Sequence, residues 1–252
     1  IYPTSGEAYV LNLGTLAPHD SAASSTNVVM GPEGMRFFRT TTTADTLAWR
    51  LWLNGATNDI LVKKTAVPHP LSASTYDLKQ ARQMLVVPSY LVGGDQYFVG
   101  VPGAPGTAIQ LDSRRQQIID APFLCSSNLV VTGFGYVTYR INVPVQQIAW
   151  LTRLTPTLGE AHLCVRRDQV PNEWNNDAFS EVAGSTTDSI SLVPPPPGSP
   201  SGTPGLSDGV FFVTIYGLAN YNATFTSGNP AITDVPFVSV STNDDPARVG
   251  WR

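Results

Sequence analysis

TLAWRLWL, residues 46–53, alternates its apolar side chains with a period of two. Leu47, Trp49, Leu51 and Leu53 share one face and Ala48, Arg50 and Trp52 take the other, which is the pattern of a half-buried β-strand. The same texture recurs along the chain. MRFFRTT (35–41), DILVKK (59–64), QYFVGV (96–101), YVTYRINV (136–143), QQIAWLTRL (146–154), AHLCVRR (161–167) and GVFFVTIYG (209–217) are all short apolar or alternating runs. Gly-Gly (93–94), Pro-Gly (102–103 and 105–106) and Asn-Gly (54–55) stand between them, and these dipeptides favour turns for steric reasons. Many short strands at this spacing predict an all-β chain. The expected form is an antiparallel β-sandwich of jelly-roll type or a compact β-barrel.

Two segments break the pattern. SASTYDLKQARQML (72–85) has a capping serine, Ser74, and apolar residues at helical spacing, and PNEWNNDAFSEVA (171–183) reads as a second short helix. One or two short helices are therefore expected. No internal repeat is visible in the text of the sequence.

VPPPPGSPSGTPG (193–205) poses the question of domain organisation. From Pro194 to Gly205 every residue is Pro, Gly, Ser or Thr, so the segment has almost nothing to bury and favours extended conformations. Beyond it lie two clear strands and a weaker one, YNATFTS (221–227), too few for a stable unit without a covering layer. The expectation is one β domain over 1–252, with 194–205 as a long exposed loop inside it.

Composition narrows the function. Charged residues are 13% of the chain and hydrophobic ones 42%, with a net charge of −4. The basic residues cluster no further than the pairs Lys63–Lys64, Arg114–Arg115 and Arg166–Arg167, so direct nucleic-acid binding is not expected. No apolar run is long enough for a membrane helix. The chain starts at Ile1, which fits excision from a longer precursor. Cys125 and Cys164 sit in apolar contexts as small hydrophobes, with a disulfide between them left open.

Motifs for catalysis are not found. GSPSG (198–202) has a proline at its centre where a nucleophile elbow needs a strand-to-helix turn, and GFGY (133–136) lacks the third glycine of a dinucleotide fingerprint. His19, His69 and His162 are scattered. Glu160, Glu173 and Glu181 could form an acid/base pair, TNDDP (242–246) could hold calcium, and Asn222 opens a glycosylation acceptor triplet, but ordinary surface and turn roles are the simpler reading of each. No catalytic, cofactor-binding or metal residue is assigned, and no cofactor is expected.

The starting Ile, the scarcity of Lys, the Thr/Ser/Pro/Gly-rich strand text, VTGFGYVTYRINVP, STYDLKQARQML and the PPPPGSPSGTPG loop together resemble coat proteins of small icosahedral positive-strand RNA viruses. That resemblance implies a non-enzymatic virion protein, either a picorna-like jelly-roll subunit or an astrovirus-like spike domain. It would partner other capsid subunits and present loops to a host receptor or glycan. The alternative is a secreted carbohydrate-binding or carbohydrate-cleaving β-sandwich, which calls for exposed aromatic side chains in a line or facing carboxylates. A bacterial surface or phage-tail adhesion module shares the same composition.

Overall fold

The computed structural model describes residues 13–15, 25–32, 34–54, 58–68, 70, 73–132, 135–200, 203–217 and 219–232. The first nine strands are β1 (Leu13–Thr15), β2 (Ser25–Val29), β3 (Met35–Thr41), β4 (Trp49–Asn54), β5 (Asp59–Lys64), β6 (Leu78–Ala81), β7 (Gln83–Val86), β8 (Gln96–Pro102) and β9 (Ala108–Arg115). The next nine are β10 (Ile118–Ala121), β11 (Cys125–Val131), β12 (Gly135–Val143), β13 (Trp150–Leu158), β14 (His162–Arg167), β15 (Ala178–Ser180), β16 (Asp188–Leu192), β17 (Gly209–Gly217) and β18 (Tyr221–Gly228). The fold is all-β and mostly antiparallel, as the periodicity requires.

The strands form four sheets. The first is β1-β3-β8-β5-β6 and the second β2-β9-β4-β7; the third is β10-β12-β17-β14-β15 and the fourth β11-β18-β13-β16. Alternation decides what each sheet faces. The first and second sheets close on a core of Phe38, Ile60, Val62, Tyr97 and Val99 against Trp49, Leu51, Leu53, Met84 and Leu111. The third and fourth close on Tyr139, Ile141, Leu163, Val213 and Ile215 against Leu129, Trp150, Leu154, Ile190 and Phe225. The result is two sandwiches, or lobes, one before Gln116 and one after Gln117.

The two lobes repeat one topology. Adding nine to each strand number converts the order 1-3-8-5-6 into 10-12-17-14-15 and the order 2-9-4-7 into 11-18-13-16, and the parallel pairing of β1 on β3 recurs as β10 on β12. The registers align single residues. Arg39 pairs with Phe98 and Phe98 with Lys63; Arg140 pairs with Phe212 and Phe212 with Arg166. Leu51 faces Ser113 as Thr152 faces Ser227, and Trp49 faces Val86 as Trp150 faces Leu192. Both tryptophans are fully buried, and each donates its indole N–H to the aligned serine hydroxyl at 2.9 Å. Asp77 accepts the Lys64 backbone N–H at 2.9 Å, and Asp177 accepts that of Arg167 at 2.8 Å. The next residues, Thr65 and Asp168, both take left-handed φ, 67° and 61°. The repeat is structural, built from positions that geometry constrains.

The lobes dock face to face, the outer side of the second sheet on the outer side of the third. Ala48, Leu85 and Val87 of the first lobe pack with Tyr136, Cys164, Val170, Phe212 and Tyr216 of the second. Polar groups complete the seam. Asn172 Nδ2 donates to Leu85 O at 2.8 Å, Gln83 Nε2 to Gly217 O at 3.1 Å and Gln116 Nε2 to Tyr136 O at 3.0 Å. Pro88 O accepts from both Arg166 Nη1 at 2.7 Å and Asn175 Nδ2 at 2.6 Å. Gln80 Nε2 also donates to Glu173 Oε1. Buried backbone carbonyls that face the other lobe thus find donors, as a dry interface demands.

The two expected helices are not formed. Within 72–85 there is one 3-10 turn, Ala73–Thr75, followed by β6 and β7. Within 171–183 an Asn172–Asn175 bridge leads into β15. Tertiary pairing overrides the local helical spacing here: Leu78–Ala81 completes the first sheet beside β5, and Gln83–Val86 the second beside β4. The strands after the proline-rich segment do return to existing sheets. β17 lies between β12 and β14, and β18 between β11 and β13.

Candidate functional site

Val193–Gly205 lies between β16 and β17, so it is a loop of the second lobe. In the first lobe the matching connection joins β7 to β8, and Val87-Pro88 aligns with Val193-Pro194 because Val86 aligns with Leu192. From Pro88 to Phe98 is 98 − 88 = 10 positions, and from Pro194 to Phe212 is 212 − 194 = 18, so the second-lobe connection is eight residues longer.

The longer loop is shaped by its own chemistry. Ser199 N–H and Oγ both donate to Pro196 O, at 3.1 and 2.8 Å. Gly198 at φ 85° follows Pro197, which is the residue order of a type II turn. Thr203 repeats the capping on Pro200 O, at 3.2 Å from N and 2.8 Å from Oγ1. The base is closed by Leu206 N–H donating to Val193 O at 2.9 Å, with the Leu206 side chain buried in the second-lobe core. A Cβ on Gly205 would stand 2.9 Å from the Pro195 ring, so the returning strand of the loop lies tight against the departing one. The described part of the loop is therefore held by two local turns and a closed base.

Two features surround it. A cleft of about 410 Å³ runs between the loop and the start of the β14–β15 connection, lined by residues that include Arg166, Arg167, Asp177, Pro195 and Pro204. Arg167 is tied down in it, with Nη2 donating to Asp208 O at 3.2 Å and Nε 3.5 Å from Asp168. At the loop-bearing end of the sandwich Val145, Ile148 and Val193 are exposed by 65%, 68% and 56%.

The sequence candidates fall elsewhere. His19, His69 and the TNDDP segment lie outside the described residues. His162 is buried on β14, its Nδ1 3.4 Å from Asp188 and its Nε2 3.6 Å from Glu160. Asp188 in turn accepts from Ser180 Oγ at 2.5 Å and Val182 N at 2.8 Å, so this group knits β14, β15 and β16 together. Glu181 accepts the Tyr216 hydroxyl at 2.9 Å. Glu173 sits in the seam, where burial pushes its carboxyl above the usual range and nearby Glu181 adds to the effect. Among the described residues no group of three or more His, Cys, Asp or Glu is placed to hold a metal ion. Cys125 and Cys164 are both free thiols, Cys164 buried in the seam with its ionisation pushed up by burial. Asn222 is half-buried on β18.

Of the tryptophans described, Trp49 and Trp150 are core, Trp52 is half-buried beneath Arg50, and Trp174 is exposed by 57%. Phe179, exposed by 59%, is nearby in sequence. The loop cleft and the exposed end were not found from sequence as a site. The signal for them was the proline-rich text itself, whose turns are spelled by Pro-Gly-Ser and Pro-x-x-Thr.

No protein-family profile matches the chain, and no curated protein matches it. Among solved structures, the pre-peptidase C-terminal domain of a collagenase from Bacillus anthracis is 9% identical. That match covers 45% of this chain and 97% of that one, at a TM-score of 0.35. Fet3p, a multicopper oxidase that functions in iron import, is also 9% identical, covering 86% of this chain and 52% of that one at a TM-score of 0.21. At TM-scores this low neither likeness bears on what the protein does.

Proposed function

We propose that this protein is a structural subunit of a non-enveloped RNA virus particle, acting in the shell or its protruding surface and presenting loops to a host receptor. The observation that carries the reading is the loop between β16 and β17, with the Ser199 and Thr203 caps on Pro196 O and Pro200 O, beside exposed Val145, Ile148 and Val193. A pre-ordered loop on a rigid support lowers the entropic cost of binding. The support is rigid because the lobes share a buried seam with hydrogen bonds across it. A surface of few charges suits repeated packing against other subunits. No nucleic-acid contact, membrane contact, cofactor or catalytic step is part of this reading.

The test is the native mass of the purified chain by light scattering across concentration and salt. A discrete dimer supports the spike form, and large rings or particles support the shell form. A monomer at every concentration, together with binding or cleavage of glycans, would replace this reading with the carbohydrate-active sandwich.

A further inference from the structure

The seam between the lobes holds a small set of polar groups whose hydrogen bonding does not close. Gln80, on β6 of the first lobe, donates Nε2–H to Oε1 of Glu173, in the β14–β15 connection of the second. Three buried oxygens at this contact have no hydrogen-bond partner: Gln80 Oε1, Glu173 Oε2 and the Tyr136 hydroxyl. Tyr136 stands on β12, within electrostatic reach of both other side chains. Buried polar atoms left unpaired are costly, so each calls for a partner.

A proton count identifies what completes the set. An amide oxygen and an ionised carboxylate can only accept, and the tyrosine supplies one O–H. With Glu173 ionised, that one proton leaves an acceptor unsatisfied. With Glu173 protonated, Oε2–H donates to Gln80 Oε1 while Gln80 Nε2–H donates to Glu173 Oε1, and the Tyr136 O–H still finds a lone pair on either side chain. The unpartnered oxygens of Gln80 and Glu173 are thus the two atoms that an acid–amide pair joins.

The surroundings favour the neutral acid. Burial holds the Glu173 carboxyl above its usual range despite the bonds it accepts, and Glu181, just beyond β15, adds to the rise. Tyr216 on β17 donates its hydroxyl to Glu181 at 2.9 Å. Burial also keeps the Tyr136 hydroxyl and the Cys164 thiol on β14 protonated. From the first lobe, Arg50 on β4 reaches Tyr136, and its own charge is disfavoured by burial and by Arg114, its cross-strand neighbour.

We propose that Glu173 is protonated in the docked protein and that its pairing with Gln80 is a proton-dependent latch between the lobes. Both bonds of the pair cross the seam. Loss of the proton to solvent removes one of them, turns Gln80 Oε1 toward a carboxylate and sets a buried negative charge beside Glu181. Opening of the seam is therefore rare in acid and becomes more frequent as pH rises through the Glu173 titration. The latch works within one chain and does not rest on the assembly reading.

The experiment follows Cys164, a free thiol buried in the seam, in the whole chain. Its alkylation rate, mapped by mass spectrometry apart from that of Cys125, reports how often the seam opens. Dividing the wild-type rate by that of Glu173→Gln at the same pH cancels the titration of the thiol itself. Glutamine carries the missing donor at every pH, so the ratio should be near one at about pH 5 and rise tenfold or more by about pH 8. Gln80→Met removes the amide and should speed Cys164 labelling about tenfold already at about pH 5, where a carboxyl that is merely buried would not respond. Carbon-13 resonance of the Glu173 carboxyl in the unmutated protein gives the titration without any variant. Titration of Glu173 near the ordinary value of ~4.3, a ratio that stays flat with pH, or Gln80→Met labelling like wild type in acid would each overturn the latch.

Discussion

Ser113→Ala and Ser227→Ala test the twinned core bonds directly. Trp49 and Trp150 are fully buried, and an indole N–H can only donate, so each needs one acceptor. Ser113 Oγ and Ser227 Oγ are those acceptors, each at 2.9 Å. Removing one leaves a buried donor unsatisfied, which costs about 1–3 kcal/mol. Ser227 also donates to Phe123 O at 2.8 Å, so its loss strands a carbonyl as well and adds roughly 1 kcal/mol. Ser227→Ala should therefore be the more damaging of the two. In a chain of this size each kcal/mol lowers Tm by roughly 2–4 °C. Urea unfolding followed by tryptophan fluorescence measures both variants, and each is combined with Trp→Phe at its partner. Coupling of about 1 kcal/mol or more between the paired sites, with additivity between lobes, is expected. If both serine variants stay within about 0.5 kcal/mol of wild type and show no coupling, the aligned bonds do not hold the cores.

Three further outcomes follow from the seam and the loop. Leu85→Ala removes a fully buried seam side chain and should cost roughly 2–5 kcal/mol, splitting a single calorimetric transition into two as the lobes uncouple; one unsplit transition at the wild-type temperature would contradict the docked arrangement. Glu173→Gln should raise stability at neutral pH. Burial raises the carboxyl's folded pKa, so its contribution is full below the unfolded value near ~4.3 and is lost as pH rises through the folded one. The variant's advantage should shrink on acidification, as read by Tm from pH 4 to 8. Excising 195–204 should leave Tm within a few degrees of wild type, because the Val193–Leu206 bond already closes the base and loop length costs little; loss of cooperative unfolding would mean the loop is part of the fold.

The strands were legible in the sequence wherever one face is buried. The WRLWL part of TLAWRLWL became β4 with Trp49, Leu51 and Leu53 in the core and Arg50 and Trp52 outward, because a period of two follows from the pleat alone, whereas Leu47 lies ahead of the strand and is 44% exposed. The loop was legible for the same kind of reason: Pro and Gly restrict local torsions regardless of what surrounds them. The helical readings of 72–85 and 171–183 failed because spacing on one segment does not reveal the strand edges, β5 and β14, that recruit β6 and β15.

The repeat was hidden for a physical reason too. Strand positions tolerate any apolar residue that fits, so two copies of one topology can share few letters. Two matches that survive, Trp49 with Trp150 and Ser113 with Ser227, sit where a buried hydrogen bond restricts the choice. What the sequence by itself determined was the β class, the sites of the turns and the exposed proline loop, all set by local torsion and alternation. Only the tertiary structure decided which faces meet, that Leu85 is buried while Ser191 is not, and that Glu173 lies in a seam, since each depends on residues far apart in the chain being brought together.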